Sequence, residues 1–167
     1  ILIQGDARYR DAGAESELAS FLLNQAVVVE ERALPALSEP SDKDVRDLQI
    51  QGGEKYVARA LLRLRGFGSK DVFFERRFYG SVPDVFARKS GSVILVECCS
   101  CRVSKIIEYL SLPEVEEVWV ITRGEGSWLP LDYEVLTKMQ WFVFTRGKRW
   151  ENVFSRFERS KRKLLRE

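Results

Sequence analysis

A chain of 167 residues, 45% hydrophobic and 31% charged, can bury one core and has the balance of a soluble globular domain. No apolar run approaches the roughly 18 residues needed to cross a membrane. Histidine is absent, which excludes Ser-His-Asp triads, Cys-His nucleophile pairs and histidine-based metal centres. General acid or base work is left to carboxylates, Lys, Tyr, Cys or metal-bound water.

The net charge of +2 is unevenly spread. Residues 1–50 carry five basic and ten acidic side chains, whereas residues 146–167 carry nine basic and three acidic. A basic end on a nearly neutral body is a candidate surface for a phosphate backbone. Two Asn, five Gln, one Met and 18 Arg against 9 Lys point to a thermophilic source. No secretory signal is visible, and a first residue of Ile1 places the expected true N-terminus upstream.

In chain order, residues 14–37 read as helix, with Leu18, Phe21, Leu22 and Gln25 on one side. Pro35 and Pro40 punctuate its end, and residues 1–50 read as an N-terminal helical arm. A second helix is predicted from Gly52 to Leu64, stopped by Gly66 and Gly68, with Val57, Leu61 and Leu64 as its apolar stripe. Glu54 lies one turn before Val57 on that same face, so it needs a partner. Strands are predicted over residues 71–79, 83–88 and 92–99. A helix over 104–112, a strand over 117–122, a short helix over 133–139 and a strand over 140–145 follow. Residues 150–166 form a basic amphipathic helix with Trp150, Phe154, Phe157 and Leu164 or Leu165 inward. The core, residues 51–146, is therefore α/β: a mixed sheet covered by helices. Residues 147–167 pack on it as a C-terminal helix.

The most informative local feature is the hairpin around Ser90 and Gly91. With those two as turn residues, Lys89 pairs with Ser92, Ala87 with Ile94, and Asp84 falls opposite Glu97. Cross-strand partners have Cβ atoms about 4.5–5.5 Å apart. Two bare carboxylates at that distance repel, and a divalent cation with oxygen ligands relieves them. Alternation puts Asp84, Phe86, Glu97 and Cys99 on one face. The pair is a candidate for metal-dependent phosphodiester chemistry. Cys98, Cys99 and Cys101 cannot close a zinc site without a fourth thiol or a histidine, and they read as core thiols on a buried strand.

The order Glu54, Pro83-Asp84, Glu97-Cys98-Cys99 on helix, strand and strand resembles the PD-(D/E)XK nuclease superfamily across residues 52–146. Within it the chain looks most like archaeal Holliday-junction resolvases and related nucleases of archaeal viruses. The resemblance implies a restriction-endonuclease-like αβββαβ core, hydrolysis of DNA phosphodiesters including branched DNA, a homodimer, and an intracellular setting, including the host cell of a virus. It implies Mg²⁺ or Mn²⁺ held by Asp84, Glu97 and the backbone carbonyl of Cys99, with Glu54 binding a second metal or its water. The family's lysine falls at Cys99, which cannot carry fixed positive charge. Lys105 in the next helix is the expected replacement, with Arg102 second. Products would carry a 5′-phosphate and a 3′-hydroxyl.

Arg76, Arg77, Arg102, Lys148 and Arg149 are the candidate DNA contacts. Plain alternatives stand beside each assignment. Asp84 can be a strand-entry residue after Pro83, Glu54 a first-turn acid favoured by the helix dipole, and Lys105 or the basic tail a solvated helix face. Arg76 and Arg77 can equally protect a sheet edge. Trp119, Trp128, Trp141 and Trp150 read as core or interface, and the Gly-containing segment 122–127 as a connection. The competing functions are a nucleic-acid-binding module that has lost turnover, motivated by Cys99, and a protein-interaction domain with structural acids.

Overall fold

The computed structural model describes residues 23–38, 41, 53–123 and 136–166, apart from the side chains of residues 157 and 160–166. The elements are β1 (Val27–Arg32), α1 (Gly53–Leu64), β2 (Val72–Phe74), β3 (Val85–Lys89), β4 (Ser92–Cys98), α2 (Val103–Leu110), β5 (Val115–Thr122), β6 (Gln140–Arg146) and α3 (Trp150–Arg166). The six strands form one mixed sheet in the order β1-β6-β5-β4-β3-β2. β4 and β5 run parallel, joined by the crossover helix α2, and the other neighbouring pairs are antiparallel. The fold is thus α/β, with helices on a mixed sheet.

Side-chain alternation divides the core between the two sheet faces. On one face Phe86, Leu95, Val118 and Val120 pack under Ile106, Ile107 and Leu110 of α2 and Trp150 of α3. On the other, Val85, Ile94, Val96 and Trp119 pack under Val57, Ala58, Leu61 and Leu62 of α1. The ends of α1 explain its length. Gly66 at φ +96° lets Phe67 N–H reach Leu62 O and Gly66 N–H reach Arg63 O, both at 3.0 Å. That is the left-handed glycine closure a helix C-terminus favours. Leu64 is 66% exposed, so the buried arc runs through Val57, Ala58, Leu61 and Leu62 and leaves Leu64 outside it.

Several boundaries move from their sequence-based positions. Residues 23–26 are helical, but Val27 to Arg32, expected within the N-terminal helix, form an edge strand paired with β6. The β-branched run Val27-Val28-Val29 suits a pleated surface, with Val27 and Val29 buried and Val28 out. This stretch therefore belongs to the central sheet and is not part of a separate helical arm. The strand expected over 71–79 is cut to three residues, because Glu75 and Tyr79 adopt positive φ and break the ladder. Of the cysteines only Cys101 is buried; Cys98 is half-buried and Cys99 exposed. Trp119, Trp141 and Trp150 are core residues, as expected. Of the helix expected over 133–139, Leu136 and Thr137 are helical, while its first three residues, Trp128, and the inward positions Phe157, Leu164 and Leu165 lie outside the described residues or side chains.

One buried acid on the α1 face is structural. Glu117 of β5 accepts from both terminal guanidinium nitrogens of Arg65, at 3.1 and 2.5 Å, and from the Trp119 indole N–H at 3.1 Å. Arg32 approaches at 3.7 Å. Burial alone would raise the Glu117 pKa, but these donors overcome it and hold it below its ordinary value of 4.5. The stabilisation is present above that ordinary value and is lost as pH falls through the folded pKa. Arg65→Met is expected to lower stability near neutral pH by about 1–3 kcal/mol. That is less than the roughly 3–5 kcal/mol for breaking a fully buried pair, since Arg65 remains partly exposed. Urea denaturation at neutral pH and near pH 3 checks this. An equal loss at both would assign the effect to packing of the Arg65 stem.

Candidate active site

The turn at the tip of β3 and β4 sets the site. Ser90 at φ +53° and Gly91 at φ +79° give the two left-handed residues of a tight hairpin turn. Lys89 pairs with Ser92, Ala87 with Ile94 and Val85 with Val96. The next pair outward brings Asp84 against Glu97. The Asp84 and Glu97 side chains are close enough to act as hydrogen-bond partners. Asp84 Oδ2 also accepts the Cys98 N–H at 2.7 Å, tying it to the end of β4.

Glu97 is buried, with 5% of its surface exposed, on the α2 face. Two residues one helical turn apart on α2 converge on its Oε1: the Tyr109 hydroxyl donates at 2.8 Å, and Lys105 Nζ lies at 3.0 Å. The ammonium also stands 5.6 Å from the centre of the Tyr109 ring. Burial is the main force on Glu97 and raises its pKa above 4.5. The Tyr109 bond opposes it, Asp84 adds to it through contact and charge, and Lys105 opposes it. The net direction is up. Burial would lower the Lys105 pKa, but the Glu97 carboxylate outweighs it and keeps the amine charged. Burial and the bond to Glu97 push the Tyr109 hydroxyl up, so it stays a donor.

The strand does not continue its alternation into Cys99. This residue takes φ +76°, and its N–H bonds Ile121 O at 2.8 Å. Its sulfur is turned to hydrogen-bonding distance of Glu54 instead of lying beside Glu97, which corrects the expected shared face. Partial desolvation and then the Glu54 charge push the Cys99 thiol up to about 11. The group is therefore a neutral thiol at physiological pH. Glu54 itself, in the first turn of α1, is buried and accepts a 2.6 Å bond from Arg123 Nε, just past β5.

Of the predicted DNA contacts, Arg76 and Arg77 are exposed directly after β2, whose end pairs with the start of β3. Arg102 is exposed at the N-cap of α2, four residues past the end of β4. These three share the sheet end that carries Asp84. Lys148 and Arg149 follow β6 at the opposite end, where Gly147 N–H bonds Ala26 O. β4 has seven residues, so about 20 Å of sheet separates them from the acids. Tyr109 and Arg123 are the site residues that sequence reading missed. The spacing of Lys105 and Tyr109 on one helix face was the available signal for the first. Nothing local signals the second.

Asp84 and Glu97 suit a hard divalent cation: they are oxygen donors that gain from a positive charge between them. Among the described residues no group of three or more Cys, Asp or Glu forms a ready cage. Mg²⁺ commonly uses only one or two carboxylates and completes its shell with water and substrate phosphate. No family model, no curated protein and no solved structure matches this chain.

Because the Glu97 pKa is raised on folding, stability is lost as pH climbs from 4.5 through the folded value. Glu97→Gln removes that loss. It is expected to raise Tm at about pH 8 by about 2–4 °C, what ~1 kcal/mol is worth at this chain length. The gain should vanish near pH 4. Thermal melts at both pH values check this; a lower Tm for the variant at about pH 8 would show that the Lys105 ion pair outweighs the Asp84 repulsion.

Proposed function

We propose that the chain is a Mg²⁺- or Mn²⁺-dependent DNA endonuclease with a restriction-endonuclease-like core of the PD-(D/E)XK type. The observation that supports it most is the meeting of Asp84 and Glu97 at the end of β3 and β4, with Lys105 3.0 Å from Glu97. The helix-strand-strand-strand-helix-strand order from α1 to β5 is compatible with it. The finer reading is a homodimer acting on branched, four-way DNA, whose two-fold symmetry suits paired sites.

In this reading Asp84 and Glu97 hold the metal, together with the Cys99 carbonyl. When bound, the metal lowers the pKa of water and neutralises charge growing on the phosphate. Asp84 is kept in place by the Cys98 amide, and Glu97 by Tyr109. Lys105, held protonated by Glu97, cannot take a proton from water. It acts as a fixed cation beside the phosphate oxygens, worth most where water is excluded. The oxygen of water bonds to phosphorus, the bond to the 3′ oxygen breaks, and that oxygen leaves with a proton. Arg76, Arg77 and Arg102 flank this end of the sheet and can carry the DNA backbone across it.

Cleavage of linear, flapped and four-way DNA with Mg²⁺ or Mn²⁺ is the test. Asp84→Asn and Glu97→Gln should each lower the rate by at least about 10²-fold, and Lys105→Ala by about 10²–10³-fold, as loss of an electrostatic stabiliser does. Cutting that survives in the two acid variants removes the assignment. One observation favours a second reading: the neutral Cys99 thiol stands where the family has its lysine. In that case the chain binds DNA without cutting it.

DNA binding tests the surface independently. Arg76→Ala and Arg77→Ala should each reduce the slope of log K against log salt by about 0.9. Lys148→Ala should change it less on a short duplex, given its place at the far end of the sheet. Equal effects at both ends would place the DNA elsewhere.

A further inference from the structure

Glu54 and Arg123 close on each other beside the metal pair. Arg123 Nε donates to Glu54 Oε1 at 2.6 Å, and the two side chains are only 16% and 5% exposed. Glu54 stands at the start of α1, packed on one sheet face, and Glu97 on the other. The Cys98-Cys99 segment separates them. Both thiols feel the charges of Asp84 and Glu54 together, so the two acids act on one small volume at the end of β4. A guanidinium cannot be deprotonated at physiological pH and is more weakly hydrated than a metal ion. Once buried against a carboxylate it is a permanent counter-charge. A hydrated dication arriving at Glu54 would have to displace it and then lie beside it uncompensated.

We propose that Arg123 occupies the place of a second metal, so that each chain binds a single catalytic cation, at Asp84 and Glu97. The inference rests on the nuclease reading for that cation and adds the role of Arg123. Glu54 is then a residue that positions Arg123 and the Cys98-Cys99 segment. It does not ligate metal.

The test is Mn²⁺ binding to the full chain, read by electron paramagnetic resonance of free Mn²⁺, with thermal melts alongside. Wild type should bind one Mn²⁺, lost in Asp84→Asn and kept in Glu54→Gln. Arg123→Gln exposes the Glu54 carboxylate and should bind two, the second lost again when Glu54→Gln is added. Without metal, Arg123→Gln should melt lower than wild type, and Mn²⁺ should restore most of that difference. If the variant is unfolded without metal, Mn²⁺ should refold it. Two ions bound by wild type, one of them lost in Glu54→Gln, overturn the inference and leave the nuclease reading standing. So does Arg123→Gln that binds one ion, or that Mn²⁺ fails to restore. No Mn²⁺ bound by wild type defeats the nuclease reading and this inference together.

Discussion

Two carboxylates forced together at the end of β3 and β4 organise this molecule. Asp84 meets Glu97 because the Ser90-Gly91 turn permits one register and the apolar residues of both strands enforce it. A slip of one position would turn Glu97 to the α1 face and move Val85, Val96 and Ile94 out of their packing. The hydrophobic core therefore holds the charge conflict in place. Burial in two layers supplies the stability against which that local repulsion is small.

The chain answers its buried acids in three different ways. Glu117 is fully matched by Arg65 and the Trp119 indole, and its pKa falls. Glu54 is matched by Arg123. Glu97 receives Tyr109 and Lys105 but also faces Asp84, and its pKa rises. The ion pairs of Glu117 and Glu97 differ in whether a like charge has been left in contact. Perturbed carboxylates of that second kind gather where chemistry is done. The Arg65-Glu117 pair lies toward the end of the sheet away from Asp84 and serves packing of α1 on β5.

Apart from the length of β2, the elements between Gly53 and Thr122 were legible because their signals are local. Glycines end α1, a Ser-Gly turn joins β3 to β4, and the unbroken apolar run Val93 to Val96, buried on both faces, marks β4. Lys105 at the start of α2 was within reach of that reading because it follows β4 by only a few residues. β1 was not legible: Val27-Val28-Val29 sits beside strong helix formers, and only pairing with β6, more than a hundred residues away, decides its state. Cys99 escaped for a related reason. Alternation predicts its face only while the strand lasts, and a left-handed residue ends it. The distance of Lys148 and Arg149 from the acids was also hidden, since strand direction at β6 depends on the whole sheet order.

By itself the sequence determined which acids confront each other, because hairpin register needs only a turn and two alternating strands. The tertiary structure alone decided which cations answer them. Lys105 and Tyr109 arrive through the packing of α2, and Arg123 through the parallel placement of β5 beside β4. Such partners are chosen by the burial of apolar surface far from the site, and no local pattern of residues records that choice.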